Sequence, residues 1–116
     1  MAGKNEPAVA AFRVYQKRLD AAQLRGIGGE HTHRPALKAL LESLDPRVVA
    51  INEPGRIECG APDFLVERKK NIQIGFIETK DTHVDLEKEE RGEQLTRYRS
   101  ALHNLILTNY RDFRWY

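Results

Sequence analysis

Cysteine, net charge and long apolar runs are all scarce in this sequence, and each shortage removes a class of protein. The one cysteine, Cys59, excludes an internal disulfide and agrees with a reducing, cytoplasmic setting. No apolar run reaches the roughly 20 residues that a membrane-spanning helix needs, and Met1-Ala2-Gly3-Lys4 opens no signal-peptide pattern. The expected partners therefore include no membrane. A formal net charge of +2 is unlike that of an independent DNA-binding module with a broad basic surface. If the chain touches nucleic acid, part of the affinity must come from elsewhere. Repeats and low-complexity tracts are absent too. What remains is one small domain of 116 residues, long enough for a single core but not two.

Helical spacing covers Pro7 to Arg25, where Ala8, Phe12, Tyr15, Leu19 and Ala22 recur at three- and four-residue intervals. Gly26 is the expected C-cap, with Ile27 as its apolar contact. Glycines 26, 28 and 29 have no following Lys-Ser/Thr, so they read as a hinge and not as a phosphate-binding loop. A second helix is expected from Pro35 to Leu44, with Leu37, Leu40, Leu41 and Leu44 in one stripe and Pro35 in the first turn. His31 and His33 precede it. Zinc would need further ligands at suitable spacing, which Cys59, His83 and His103 do not supply, so these are expected to be solvated loop or cap histidines. Val48-Val49-Ala50-Ile51 is a short strand closed by Asn52-Glu53-Pro54-Gly55. One helix is expected from Glu87 to Leu102, with Gly92 inside it at a local cost of ~1 kcal/mol. Asn104 to Thr108 reads as a buried strand, and Phe113-Arg114-Trp115-Tyr116 starts another before the sequence stops. Such an ending is expected of a piece of a larger polypeptide.

Gly60 to Lys80 is the organising stretch. Asp63-Phe64-Leu65-Val66 and Ile72-Gln73-Ile74-Gly75-Phe76-Ile77 are two strands joined by a polar turn, where Asn71 tolerates positive φ. A loop of Lys70-Asn71, or of the four residues Lys69 to Ile72, places Asp63 opposite Glu78 in either case. Opposed Cα atoms lie ~4.5–5.5 Å apart. Strand alternation brings Lys80 onto the face of Glu78. Two carboxylates and a lysine at one sheet edge suit a Mg²⁺ ion and an attacking water, because this hard ion takes oxygen ligands and keeps several waters. The Thr79 carbonyl is a further candidate ligand, and Lys80 can orient the water or offset transition-state charge.

Pro62-Asp63 followed by Glu78-Thr79-Lys80 resembles the PD-(D/E)xK nuclease superfamily. Gln94 and Tyr98, one turn apart on the following helix, are similar to the Gln-x-x-x-Tyr of its RecB-type and type I restriction branch. Further blocks occur in order: His31-Thr32-His33-Arg34-Pro35-Ala36-Leu37, Asn52-Glu53-Pro54, Gly60-Ala61-Pro62-Asp63-Phe64 and Asn104-Leu105-Ile106-Leu107-Thr108-Asn109-Tyr110. Together they resemble the N-terminal nuclease domain of single-polypeptide restriction-modification enzymes, the type ISP group.

The resemblance implies an α/β fold: a mixed central β-sheet flanked by helices, with a restriction-endonuclease-like αβββαβ core and an extra N-terminal helix. Residues 1–29 would be that helix and the hinge, and residues 30–116 the nuclease core. The implied function is Mg²⁺-dependent hydrolysis of double-stranded DNA, with Mn²⁺ as a possible substitute, by one part of an enzyme that also carries helicase, methyltransferase and target-recognition domains. Asp63 and Glu78 would bind metal and Lys80 would assist the nucleophile. Gln94 and Tyr98 would position the helix or the DNA backbone, and Glu30 would be an extra acidic ligand unless it simply favours a helix N-terminus. The alternatives are a repair or recombination nuclease of the same superfamily and a nonenzymatic nucleic-acid-binding module. Alanine at Asp63, Glu78 or Lys80 is expected to abolish cleavage and spare the fold, since groups at a sheet edge carry no core packing.

Overall fold

A computed structural model describes residues 6–26, 29, 31–69 and 71–116. Ile27, Gly28, Glu30 and Lys70, to which the sequence reading gives contact, hinge, ligand and turn roles, lie outside the described residues. The elements run α1 (Glu6–Leu24), α2 (Arg34–Leu44), β1 (Val48–Asn52), β2 (Phe64–Arg68), β3 (Ile72–Thr79), α3 (Leu86–Glu90), α4 (Glu93–Ala101), β4 (Leu105–Thr108) and β5 (Phe113–Trp115). They form one five-stranded sheet in the order β1-β2-β3-β4-β5. Only the β3–β4 pair is parallel, as a connection through two helices requires.

Helices cover both faces of this sheet. On one, Tyr15 and Leu19 of α1 and Ala36, Leu37 and Leu40 of α2 pack against Ala50, Phe64, Val66 and Ile77. On the other, Leu86 of α3 and Leu95 and Tyr98 of α4 pack against Leu105, Leu107 and Cys59, with Phe76 joining them. Ile77 and Phe76 therefore face opposite ways, and alternation sends Glu78 and Lys80 toward α4. The mixed α/β architecture with an extra N-terminal helix is the one expected.

Two local differences from the sequence reading, at the third expected helix and at the central hairpin, have physical causes, while the expected C-terminal strand forms. The expected helix from Glu87 to Leu102 is two helices, because Gly92 adopts an extended conformation (φ −73°, ψ 165°) and becomes the N-cap of α4. A glycine that is poor in a helix interior is well suited to break one. The C-terminal aromatic segment completes β5 by pairing Ile106 with Trp115 and Thr108 with Phe113. The central hairpin uses neither expected register at its turn. Arg68 pairs with Ile72, and Asn71 takes positive φ (60°). Ile74 is then an extra residue between the Glu67–Gln73 and Val66–Gly75 pairs. This bulge cancels the one-residue offset, so Phe64 meets Ile77, the pair that the expected register requires.

Gly75, next to the bulge, lets the chain entering β4 cross close to β3. A Cβ there would lie 2.5 Å from the Asn104 carbonyl oxygen, which accepts the Phe76 N–H at 3.0 Å. Backbone cannot step aside as a side-chain end can. Gly75→Ala is expected to lower unfolding stability by about 1–3 kcal/mol, read as a reduced urea midpoint. An unchanged midpoint would show that the turn at Asn104 yields freely.

Candidate active site

The end of β3 receives groups from both helical layers. From the α2 side comes Arg34, in the first helical turn and only 4% exposed. Its Nη2 donates to Asp63 Oδ1 at 2.6 Å, and its Nη1 lies 3.3 Å from both Asn52 Oδ1 and Glu53 Oε1. Asp63 Oδ2 accepts the Thr79 N–H at 2.7 Å and the Thr79 hydroxyl at 2.8 Å. Three of the roughly four lone-pair sites of this carboxylate are thus engaged. Behind it sits Tyr110, fully buried, with its hydroxyl against Thr79 and Arg34 and its pKa pushed up to about 12, chiefly by burial. Tyr15 of α1 donates its hydroxyl to the Tyr110 carbonyl at 2.7 Å. The His33 ring packs edge-on against Tyr110, with centroids 5.2 Å apart.

From the α4 side, Gln94 Oε1 accepts from Lys80 Nζ at 2.8 Å. That ammonium lies 3.8 Å from Glu78 Oε2 and 3.8 Å from Glu89 Oε2 of α3. Glu78 is 5% exposed. Tyr98 has its pKa raised first by burial and next by the Glu78 carboxylate, while a hydrogen bond to the Ala61 backbone acts the other way. Its ring lies over Gly60, where a Cβ would come within 2.8 Å of the ring and hydroxyl and where φ is +141°. Arg97 donates to the Cys59 carbonyl at 2.6 Å. Helix α4 therefore holds both Lys80 and the segment that leads into Asp63.

Glu78, Lys80, Gln94 and Tyr98 are brought together on one face. Asp63 directly precedes the Phe64–Ile77 pair, but its carboxylate bonds Thr79 and Arg34 on the α2 side, not the α4 side that Glu78 faces. Thr79 supplies its N–H and hydroxyl to Asp63. Glu30 lies outside the described residues. The sequence reading missed Arg34, Glu89 and Tyr110. A signal existed for the first, since a cation in the first turn opposes the helix dipole and needs a nearby anion. Two further corrections follow from burial. His31 is exposed and His33 occupies the N-cap of α2, as expected, but His33 is 2% exposed, not solvated, and makes no side-chain cap bond. Asp63 and Glu78 are not bystanders to packing, because one pairs with a buried arginine and the other is itself buried.

No family model and no curated protein matches this chain. Among solved structures, a chain in the cryo-electron-microscopy structure of a DrdV–DNA complex is similar, with a TM-score of 0.68 and 24% identity over 85% of this chain and 73% of that one. At that identity the likeness defines the fold, which is restriction-endonuclease-like. No helix among the described residues is long and apolar enough to cross a membrane.

Removing one partner of a buried ion pair leaves the other charge uncompensated, at ~3–5 kcal/mol. Asp63 keeps 13% side-chain exposure, so Asp63→Ala is expected near the lower end, about 3 kcal/mol, with Asp63→Asn losing less because the amide oxygen still accepts hydrogen bonds. Chemical denaturation checks this, and equal losses would mean that the charge alone, not the hydrogen bonds, carries the contribution.

His33 gives a pH dependence. Burial, and after it the nearby Arg111, hold its pKa below the usual value, so the unfolded chain takes up this proton first as pH falls. The contribution is intact above about pH 6.5 and declines below it. Thermal melts are expected at lower temperature at pH 5.5 than at pH 7.5, with a smaller difference in His33→Gln. An equal difference in the variant would assign the effect elsewhere.

Proposed function

We propose that this chain is a Mg²⁺-dependent DNA endonuclease domain. The observation that carries the reading is Lys80 held by Gln94 beside the buried Glu78 at the end of β3, where Asp63 bonds the adjoining Thr79. The DNA in the DrdV complex agrees with a DNA-handling role for this fold. The motif blocks favour the finer assignment, a nuclease domain at residues 30–116 of a single-polypeptide restriction-modification enzyme, working in the cytoplasm beside helicase, methyltransferase and target-recognition domains.

Carboxylate oxygens are the donor type that Mg²⁺ takes. Among the described residues no group of three His, Cys, Asp or Glu side chains is arranged to hold an ion. Mg²⁺, however, is usually held by one or two carboxylates together with waters and substrate phosphate. Glu78 and Asp63 would hold it, with the Thr79 carbonyl as a further candidate ligand. Once bound, it supplies Lewis acidity toward the phosphodiester and toward a water. The chain's own part is positional and electrostatic. Gln94 accepts a hydrogen bond from Lys80 and so fixes the ammonium where it can orient a water or offset negative charge in the transition state. Tyr98 packs on Gly60 and bonds Ala61, setting the entry of the Asp63 strand.

Nicking of supercoiled plasmid with Mg²⁺ tests the assignment. Lys80→Ala and Glu78→Gln are expected to lose at least ~10²-fold in rate. Gln94→Ala, acting through Lys80, should lose about 10-fold. Wild-type cleavage by Lys80→Ala would remove that residue from the mechanism.

A further inference from the structure

We propose that Arg34 is a cation stationed on Asp63 that opposes metal loading, so that a metal gains Asp63 only as the guanidinium shifts onto Asn52 and Glu53. This deepens the nuclease reading and rests on it. Three observations support it. The Arg34–Asp63 contact, at 2.6 Å, is much shorter than the 3.3 Å contacts that Nη1 makes with Asn52 and Glu53. The pair is shielded from water, with side-chain exposures of 5% and 13%, so its electrostatics are weakly screened. Asp63 Oδ2 is already doubly occupied by Thr79, which leaves Oδ1, the oxygen that Arg34 holds, as the oxygen with room for another partner. A dication there would share one atom with a guanidinium, and like charges at such range disfavour each other strongly.

An alternative anchor lies within reach. Nη1 is equidistant from Asn52 and Glu53, and the Glu53 side chain is 70% exposed and tied to few neighbours. Arg34 would then hold the Asp63 side chain in place before loading and yield it on loading. Arg34 is accordingly a positioning residue that touches neither substrate nor reacting atoms. Its removal should help metal binding, whereas loss of a purely structural arginine should weaken it or leave it unchanged.

Calorimetric titration of the 116-residue chain with MnCl₂ and with MgCl₂ tests this in wild type, Arg34→Gln and Asp63→Asn, with circular dichroism to confirm folding. Arg34→Gln is expected to bind about tenfold tighter, the scale of one charge acting on a neighbouring carboxylate, and Asp63→Asn to bind weakly. In wild type, the nitrogen-15 signals of the Arg34 guanidinium should shift in step with Mg²⁺ binding, a readout that holds even if Arg34→Gln fails to fold. Equal or weaker affinity in folded Arg34→Gln, unchanged Arg34 signals at saturation, or binding indifferent to Asp63→Asn would each overturn this inference and leave the nuclease reading standing. No binding in wild type and in Arg34→Gln alike would instead count against the metal-dependent reading, and this inference with it.

Discussion

A guanidinium that is 4% exposed must be answered by anions, and the answer given to Arg34 decides how this end of the molecule is built. Its two terminal nitrogens reach Asp63 at the start of β2 and Asn52 and Glu53 around the end of β1. Asp63 in turn takes the N–H and hydroxyl of Thr79 at the end of β3. One side chain on α2 thereby fixes three strand ends through charge-assisted hydrogen bonds, which are the strong ones. Tyr110 closes the network from behind, and the Tyr15 hydroxyl ties α1 to it. The N-terminal helix is in this way joined to the polar network as well as to the core.

The opposite face is fixed by different means. Helix α4 exists as a separate helix because Gly92 interrupts the run, and its start is set by Thr96 bonding back to the Gly92 carbonyl. From that start, Gln94 reaches Lys80, and one turn on Tyr98 packs over Gly60. An unbroken helix would carry Gln94 and Tyr98 along a different axis. The glycine that is locally unfavourable is thus what aims the pair.

How legible this was in the sequence depends on the kind of signal. Strand alternation puts Lys80 on the face of Glu78, helical spacing puts Gln94 and Tyr98 one turn apart, and the fold brings the two pairs together. The sheet was equally legible, since each strand is a short apolar run bounded by turn residues. The turn of the hairpin was not. Its offset is repaired by a bulge at Ile74, and nothing in a Ile-Gln-Ile-Gly pattern marks which residue drops out of register. Arg34 was hidden for another reason: pairing between residues 34 and 63 is a tertiary fact with no period to read. The burial of His33 follows from the same neighbourhood, packed against Tyr110 from the far end of the chain.

The two carboxylates that the sequence treats as a matched pair are chemically unequal in the fold. Asp63 is surrounded by donors: a guanidinium, an amide and a hydroxyl. Around Glu78 lie the Lys80 ammonium, at 3.8 Å, and Tyr98, whose ionisation the Glu78 charge discourages. Satisfied hydrogen bonds stabilise a fold and also reduce what a carboxylate can offer a ligand. Asp63 is therefore committed to architecture, tying α2 to the end of β3. That inequality comes from the layers on either side, a buried arginine below the sheet and a lysine held by glutamine above it. The Phe64–Ile77 pair brings both groups to the end of β3, and the helices decide what each can do there.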